Sequence, residues 1–348
     1  MYNNNIVKQD LEEIIKSIKN IEVLKNKTVL ITGATGMMAS YFMMTLLYLN
    51  DKHDYNIHII PLVRNIDKLN KIIKVNERKD ITPLIQDVCN EIKVNGEVDY
   101  IAHMASSANP STIIKNPVGI IEANVLGTFN VLSLAKDKKS KILFTSTREI
   151  YGKVDDKIES IKENDMGVLN PMELRSCYPE SKRMAENLIV SYAYQHDIKF
   201  NIVRIAHSYG PGMIIKNDGR VMSDFIGNVI NNENIILKST GEALRAFCYV
   251  SDCVVALFDV LINGNENDVY NISNEKEEIS VKDLATLICE ISKKPLKVVF
   301  DIQRNNNQYV TFKRIKLNNE KLFNLGWKPN VSLGDGIERT ITYFSNIK

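Results

Sequence analysis

The chain has 348 residues, 44% hydrophobic and 25% charged, with a formal net charge of +2. That length fits one large α/β domain or two smaller ones, and the near-neutral charge offers no basic surplus for nucleic acid. The five cysteines form no CxxC pair and are odd in number, which argues against a disulfide framework or zinc knuckle and for reduced thiols in a cytoplasmic protein.

The start, MYNNNIVKQDLEEII, lacks the basic and apolar runs of a signal peptide. No apolar run is read as membrane-spanning. Apolar residues at helical spacing over 6–24 predict a surface helix ahead of the main domain. Strands and helices then alternate. TVLIT (28–32) is a strand and 36–49 a helix. NIHIIPLV (56–63) is a second strand, weakened near its end by Pro61. ITPLIQDV (81–88) and VDYIAHMAS (98–106) are the third and fourth strands, and 117–136 is a long amphipathic helix opened by Pro117. KILFTST (141–147), the helix 178–196 and FNIVRIA (200–206) complete the series. This order predicts a doubly wound parallel sheet, the Rossmann type of α/β fold. After residue 207 the pattern loosens into turns, with short helical pieces near 221–231, 252–263, 280–292 and 332–346. The expected organisation is a helical extension (1–26), a dinucleotide-binding domain (27–206) and a smaller C-terminal lobe (207–348) that interleaves with it.

TVLITGATGMMAS places Gly33 and Gly36 between the first strand and its helix. Gly33 permits a tight turn, Gly36 a close backbone approach to a pyrophosphate, and Ala39 stands where a third glycine allows helix packing. By position, Thr35, Met37 and Met38 lie near the cofactor; Asp87 and Val88 fall where adenine is contacted; Met104, Ala105 and Ser106 fall near its middle. The second strand ends in Arg64 rather than an acidic residue, which leaves NAD and NADP both open. His103 reads as a satisfied core histidine, and His53, His58 and His196 have no ligand-like spacing, so no metal is expected.

TSTREIYG (145–152) ends a buried strand in hydroxyls, an arginine and a carboxylate where a mere turn would use Gly, Asn or Pro. Tyr178 and Lys182 lie four apart on one helix face. A phenol of pKa near 10 needs about 4 kcal/mol of differential stabilisation to act as a base at neutral pH. A neighbouring ammonium and a nicotinamide cation supply charges of that scale.

Together, TGATGMM, DYIAHMAS, NVLGTFNVL, STREIYG, YPESK, VRIAHSYGPG, LRAFCYVSD and LGWKP resemble the extended short-chain dehydrogenase/reductases that modify nucleotide sugars, over residues 27 to about 345. The resemblance implies catalytic hydroxyl, base and lysine roles for Thr147, Tyr178 and Lys182, a nucleotide-diphosphate sugar as substrate, and a homodimer paired through the helices at 117–136 and 178–196. LNPMELRSCYPESKRMAENL and NDGRVMSDFI resemble the UDP-glucuronate decarboxylases, which carry a Thr and a Glu where this chain has Thr147 and Glu149. The resemblance also places Arg245 and Arg314 on the diphosphate, with Arg220 and His207 nearby; His207 stands where an Asn is usual. Arg148 departs from the small residue of the decarboxylases and is either a carboxylate ligand or a solvated or structural arginine that excludes glucuronate and marks a divergent substrate. The similar 4,6-dehydratases use an Asp-Glu pair, and the Asp is missing here. The expected activity is therefore decarboxylation of a nucleotide uronic acid. The alternatives are a 4-epimerase, a reductase of a nucleotide-linked ketose or polyol, and a non-catalytic cofactor-sensing protein on the same fold.

Overall fold

The structure is a computed structural model that describes residues 1–215, 218–302 and 316–347; Arg314 lies outside the described residues. The elements of the first half are α1 (Asn5–Ser17), β1 (Thr28–Thr32), α2 (Met37–His53), β2 (His58–Val63), α3 (Ile66–Ile72), β3 (Leu84–Ile85), β4 (Tyr100–His103), α4 (Pro110–Lys115), α5 (Pro117–Lys138) and β5 (Lys141–Thr147). Then come β6 (Ser160–Ile161), α6 (Cys177–His196), β7 (Phe200–Ile205), β8 (His207–Tyr209), α7 (Val221–Ile230), β9 (Ile235–Leu237), β10 (Leu244–Tyr249), α8 (Val250–Asn263) and β11 (Asp268–Ile272). The last are β12 (Glu278–Ser280), α9 (Val281–Ser292), β13 (Val298–Phe300), β14 (Lys316–Leu317), α10 (Glu320–Asn324) and α11 (Leu333–Asn346).

Seven parallel strands form the central sheet in the order β11-β7-β5-β4-β1-β2-β3. Strand order reverses between β1 and β4, and the crevice at such a reversal is where this architecture binds ligands. The doubly wound sheet predicted from the alternating pattern is therefore present. Its strands are nearly continuous apolar runs because helices cover both faces.

Several local expectations change. The third strand shrinks from 81–88 to two residues, with Ile81 forming only an isolated bridge to Ile59. It lies at the sheet edge, where Pro83 offers no N–H for a ladder. Pro61, by contrast, does not interrupt β2. Ile59 N–H donates to Asp80 O and Val63 O accepts from Gln86, so this set of β2 residues faces β3. The donor that Pro61 lacks is missing from the edge side and not from the ladder to β1. The seventh strand, β11, was not read from the sequence; DVYNI pairs parallel with β7 from Asp268↔Asn201 to Ile272↔Ile205. A chain segment from beyond residue 207 thus completes the central sheet.

The N-terminal helix is shorter than expected. It ends at Ser17, Asn20 takes a left-handed φ of 56°, and a 3-10 turn covers Ile21–Leu24. The Asn4 side chain caps its start by accepting from the Ile6 and Val7 amides, a device that stabilises by about 1 kcal/mol. The helix packs on α2 and α8, burying Val7, Leu11 and Ile14. Its Asp10 is fully buried and accepts from Tyr41 (2.7 Å), Tyr249 (3.0 Å) and Arg339 (2.9 Å). Burial pushes that carboxyl up to about 6 against the pull of these donors.

By length and composition α5 is apolar enough to cross a membrane, which the sequence reading did not recognise. One face of it packs on α6 and β4, burying Asn124 and Thr128 there.

Candidate active site

The turn after β1 lies at the sheet reversal. Gly33 has φ +67°, and a Cβ on it would stand 2.8 Å from Ala105 Cα. The β1 and β4 ends therefore meet through bare backbone. Gly36 N–H donates to Gly33 O (2.9 Å), and Gly36 is the N-cap of α2 with no side-chain partner for the helix amides. Thr35 and Met37 flank it, half-buried, with Met38 next. Ser106 Oγ is buried without a hydrogen-bond partner among the described residues. A close backbone cradle, open helix amides and a waiting hydroxyl fit the pyrophosphate and ribose of a nicotinamide dinucleotide.

Beneath the turn, the donors and acceptors allow one allocation of protons. Thr32 Oγ1 accepts from the Met104 and Ala105 amides, each at 3.1 Å. Its own proton must then go to His103 Nδ1, 2.8 Å away. His103 therefore carries its proton on Nε2 and donates to Thr128 Oγ1 at 3.0 Å. Thr128 in turn donates to Asn124 O, and Asn124 Nδ2 donates to Ser181 Oγ (2.8 Å). Burial lowers the His103 pKa to about 3, so it is a neutral strut under the cofactor turn, the core role expected of it.

Arg64 and Asp87 meet at 3.5 Å with Arg64 largely exposed. The Cys89 amide, then Arg64, hold the Asp87 carboxyl below its ordinary range. Val88 is buried against α5, where a Cβ on Gly127 would stand 2.8 Å from it. Its carbonyl accepts from Asn130 (3.0 Å).

β5 and α6 bring Thr147, Glu149, Tyr178 and Lys182 together. Thr147 ends β5, and its hydroxyl accepts from Glu149 N–H (3.2 Å) to start a 3-10 turn over Arg148–Tyr151. Tyr178 lies in the first turn of α6 and is 5% exposed. Lys182, one turn on, donates to Thr145 O (2.7 Å) and sits 4.5 Å from the Phe144 ring centre. Burial lowers Lys182 to about 7, and the Glu186 charge pulls the other way. For Tyr178, burial first and the Glu149 charge second push the phenol up. The Thr147 hydrogen bond and the Arg175 and Arg220 charges oppose them.

Arg175 was not read as a site residue. Its guanidinium forks the Glu149 carboxylate at 2.5 and 3.1 Å. The available signal was its place three residues before Tyr178. A cation at the amino end of a helix opposes the helix dipole, so it needs another partner. Glu186 and Arg204 were also missed. Arg204, in the sheet interior, forks Glu186 at 2.6 and 3.1 Å and donates to the Tyr151 hydroxyl at 3.1 Å. This buried pair ties α6 to β7 behind Lys182.

The arginines read as substrate ligands are spread more widely. Arg220, held by Asp218, projects its charge toward Tyr178. Arg148 follows Thr147 as the first residue of the 3-10 turn. Arg245 lies on β10 and donates to Leu244 O (2.7 Å). His207 lies on β8, paired with Phe247 of β10, its ring 5.7 Å from that phenyl. The small β12-β10-β8 sheet thus carries both Arg245 and His207. Among the described residues, no group of three His, Cys, Asp or Glu side chains is placed to hold a metal ion.

The chain is 35% identical over 312 residues to UDP-glucuronic acid decarboxylase 6 of Arabidopsis thaliana, covering 90% of this chain and 87% of that one. It is 32% identical over 329 residues to UDP-glucuronic acid decarboxylase 1 of Xenopus tropicalis, covering 94% and 74%. The fold matches UDP-glucose 4-epimerase from Thermotoga maritima with TM-score 0.76 and 22% identity, over 92% of this chain and 99% of that one. It also matches UDP-glucuronic acid 4-epimerase from Bacillus cereus with TM-score 0.75 and 22% identity, over 92% and 97%. Residues 29–273 match the model of one family, and with the cradle at Gly33 and the Thr147-Tyr178-Lys182 cluster in place, the chain belongs to the NAD dependent epimerase/dehydratase family.

Proposed function

We propose that this protein decarboxylates a nucleotide-linked uronic acid, converting a UDP-glucuronate type of substrate to the corresponding pentose. The observation that carries this is Glu149 beside the Thr147-Tyr178-Lys182 cluster, with an arginine and not an acid at 148. The relatives at 32% and 35% identity support it by name.

The bound nicotinamide supplies a reversible two-electron oxidation at carbon 4 of the sugar. The chain's own part is proton handling. Tyr178 takes the carbon-4 hydroxyl proton, with Thr147 bonded to its oxygen and the Lys182 ammonium one turn away. In the resulting β-keto acid the C5–C6 bond breaks, CO2 leaves, and the electron pair moves to the carbon-4 oxygen as an enolate; carbon 5 then takes a proton, and return of the hydride to carbon 4, with Tyr178 giving back its proton, yields the pentose. The Tyr178 and Thr147 hydroxyls are placed to steady that oxyanion. Arg220, Arg245, Arg314 and His207 are assigned to the substrate's nucleotide diphosphate, which arginine forks suit. Arg148 is assigned to its carboxylate. NAD is the assigned cofactor, which the NAD dependent family and the NAD complex of the Bacillus cereus neighbour support.

Mass spectrometry of UDP-glucuronate incubated with the enzyme and NAD tests the reading. The expected result is a product lighter by one CO2. An unchanged mass with epimerised or reduced sugars would sink it in favour of an epimerase or reductase.

The proposed assembly is a homodimer through α5 and α6. Leu126 and Phe129 on α5 and Met184 and Val190 on α6 are about half exposed, an apolar surface of the kind that marks interfaces. Mass photometry should give a dimer, and Phe129→Asp should shift it to monomer; a monomeric parent protein would end this proposal.

A further inference from the structure

Glu149 and Arg175 stand on separately braced turns. Arg183 of α6 donates to Ile150 O (2.7 Å) and Gly167 O (2.8 Å), which fixes the turn carrying Glu149. Ser176 Oγ donates to Asn170 O (2.6 Å) and Ser176 N–H to Glu173 O (2.9 Å), which fixes the turn carrying Arg175. The two side chains meet in a bidentate fork at the site mouth, the geometry that gives an arginine–carboxylate pair its directionality. Nothing in the hydride and proton chemistry above uses Arg175.

We propose that Arg175 is a positioning residue: its fork holds the Glu149 carboxylate in one orientation and neutralises its charge beside the Tyr178 phenol. This rests on reading Tyr178 as the proton acceptor, and it is independent of whether the sugar loses CO2. Among the described residues, the charged groups that act on Tyr178 include Glu149 and Arg175 from the two 3-10 turns and Arg220 from the segment before α7; Lys182 follows one turn on along its own helix. From α4 and α5, Ile113 and Ile120 pack against it. Of these charges Glu149 alone disfavours phenolate. The site thus holds a carboxylate that works against its own base, and Arg175 is the cation bonded to that carboxylate. The arrangement keeps Glu149 available to the sugar while limiting its effect on Tyr178.

The test uses the NAD-loaded protein without substrate. Tyr178 phenolate is read by ultraviolet difference titration against Tyr178→Phe, so product identity does not enter. In Arg175→Gln the Tyr178 titration should move up by about one pH unit, the scale of an uncompensated neighbouring charge. Adding Glu149→Gln should bring it back to the wild-type position. A merely structural arginine would show no such rescue. An Arg175→Gln protein that titrates like wild type, or a double variant that stays shifted, overturns the proposal. Arg175→Lys covers a failure of Arg175→Gln to fold, because it keeps the charge and loses the fork. It should titrate near wild type yet lose about tenfold in kcat with little change in KM, as misorientation at a reacting centre does. Full kcat in Arg175→Lys also overturns the proposal.

Discussion

Replacing Tyr178 with phenylalanine is expected to lower kcat by about a thousandfold, the scale of a lost general base, with fold and cofactor binding retained. The phenol oxygen is bonded to Thr147, and the ring packs with Ile113 and Ile120. Phenylalanine keeps that apolar packing and removes only the oxygen. The hydroxyl's surroundings also set a pH dependence. Burial and Glu149 push Tyr178 above its ordinary value, while Thr147, Arg175 and Arg220 act against them. The reactive form is the phenolate, so the rate should rise with pH, about tenfold per unit while the phenol is mostly protonated. Lys182 works in the opposite sense. Burial lowers it to about 7 in the ligand-free protein, so its ammonium helps Tyr178 less as pH climbs past that value. The phenylalanine variant should lose the Tyr178 limb of the profile. Steady-state rates across pH, with bound cofactor measured by its absorbance, check both statements. A variant with more than about a tenth of wild-type activity would remove Tyr178 from the base role.

The second large effect concerns Gly33. Replacement by valine should abolish cofactor retention and destabilise the protein by about 3 kcal/mol or more, from a strained positive φ plus overpacking. A Cβ at this position meets Ala105 Cα at 2.8 Å, Ala105 N at 3.0 Å and Met104 O at 3.0 Å. All three are backbone atoms, so no side chain can swing aside. The β4 end would have to retreat, and with it the amides that donate to Thr32. Gly334→Ala is the control: it lies near the start of α11 with nothing within 4 Å of a Cβ, and should be neutral or slightly stabilising. Urea unfolding of both variants, with the bound nucleotide counted in each, decides the matter. A Gly33→Val protein that keeps its cofactor would show that the close approach to β4 is not what makes the cradle.

Much of this was legible in the chain itself. TVLITGATG specified a strand, a glycine turn and a helix locally, because φ at Gly33 and apolar strand composition are short-range constraints. KILFTST became β5 over its predicted span, and Tyr178 and Lys182 came to one helix face because a four-residue spacing does so on any α-helix. Where reading failed, the deciding contacts were distant. β11 is a short strand whose pairing partner β7 lies more than sixty residues earlier, and its own pattern is weak. The third strand shrank because it lies at the sheet edge, a fact of topology. The hydrophobic stripe of the first helix predicted a buried face but named neither α2 nor α8 as its cover, nor Asp10 as a buried hub for Tyr41, Tyr249 and Arg339.

The same division runs through the site. By itself the sequence determined the sheet type and the cofactor turn and set Tyr178 and Lys182 on one helix face, because each rests on residue chemistry and local spacing; the roles of Thr147 and Glu149 rested on the family resemblance. Only the tertiary structure decided that Arg175 closes on Glu149, that Glu186 and Arg204 lie behind Lys182, and that His103 holds its proton on Nε2. Those are charge pairings and hydrogen-bond allocations between separate segments, and they depend on which turns the folded sheet sets side by side.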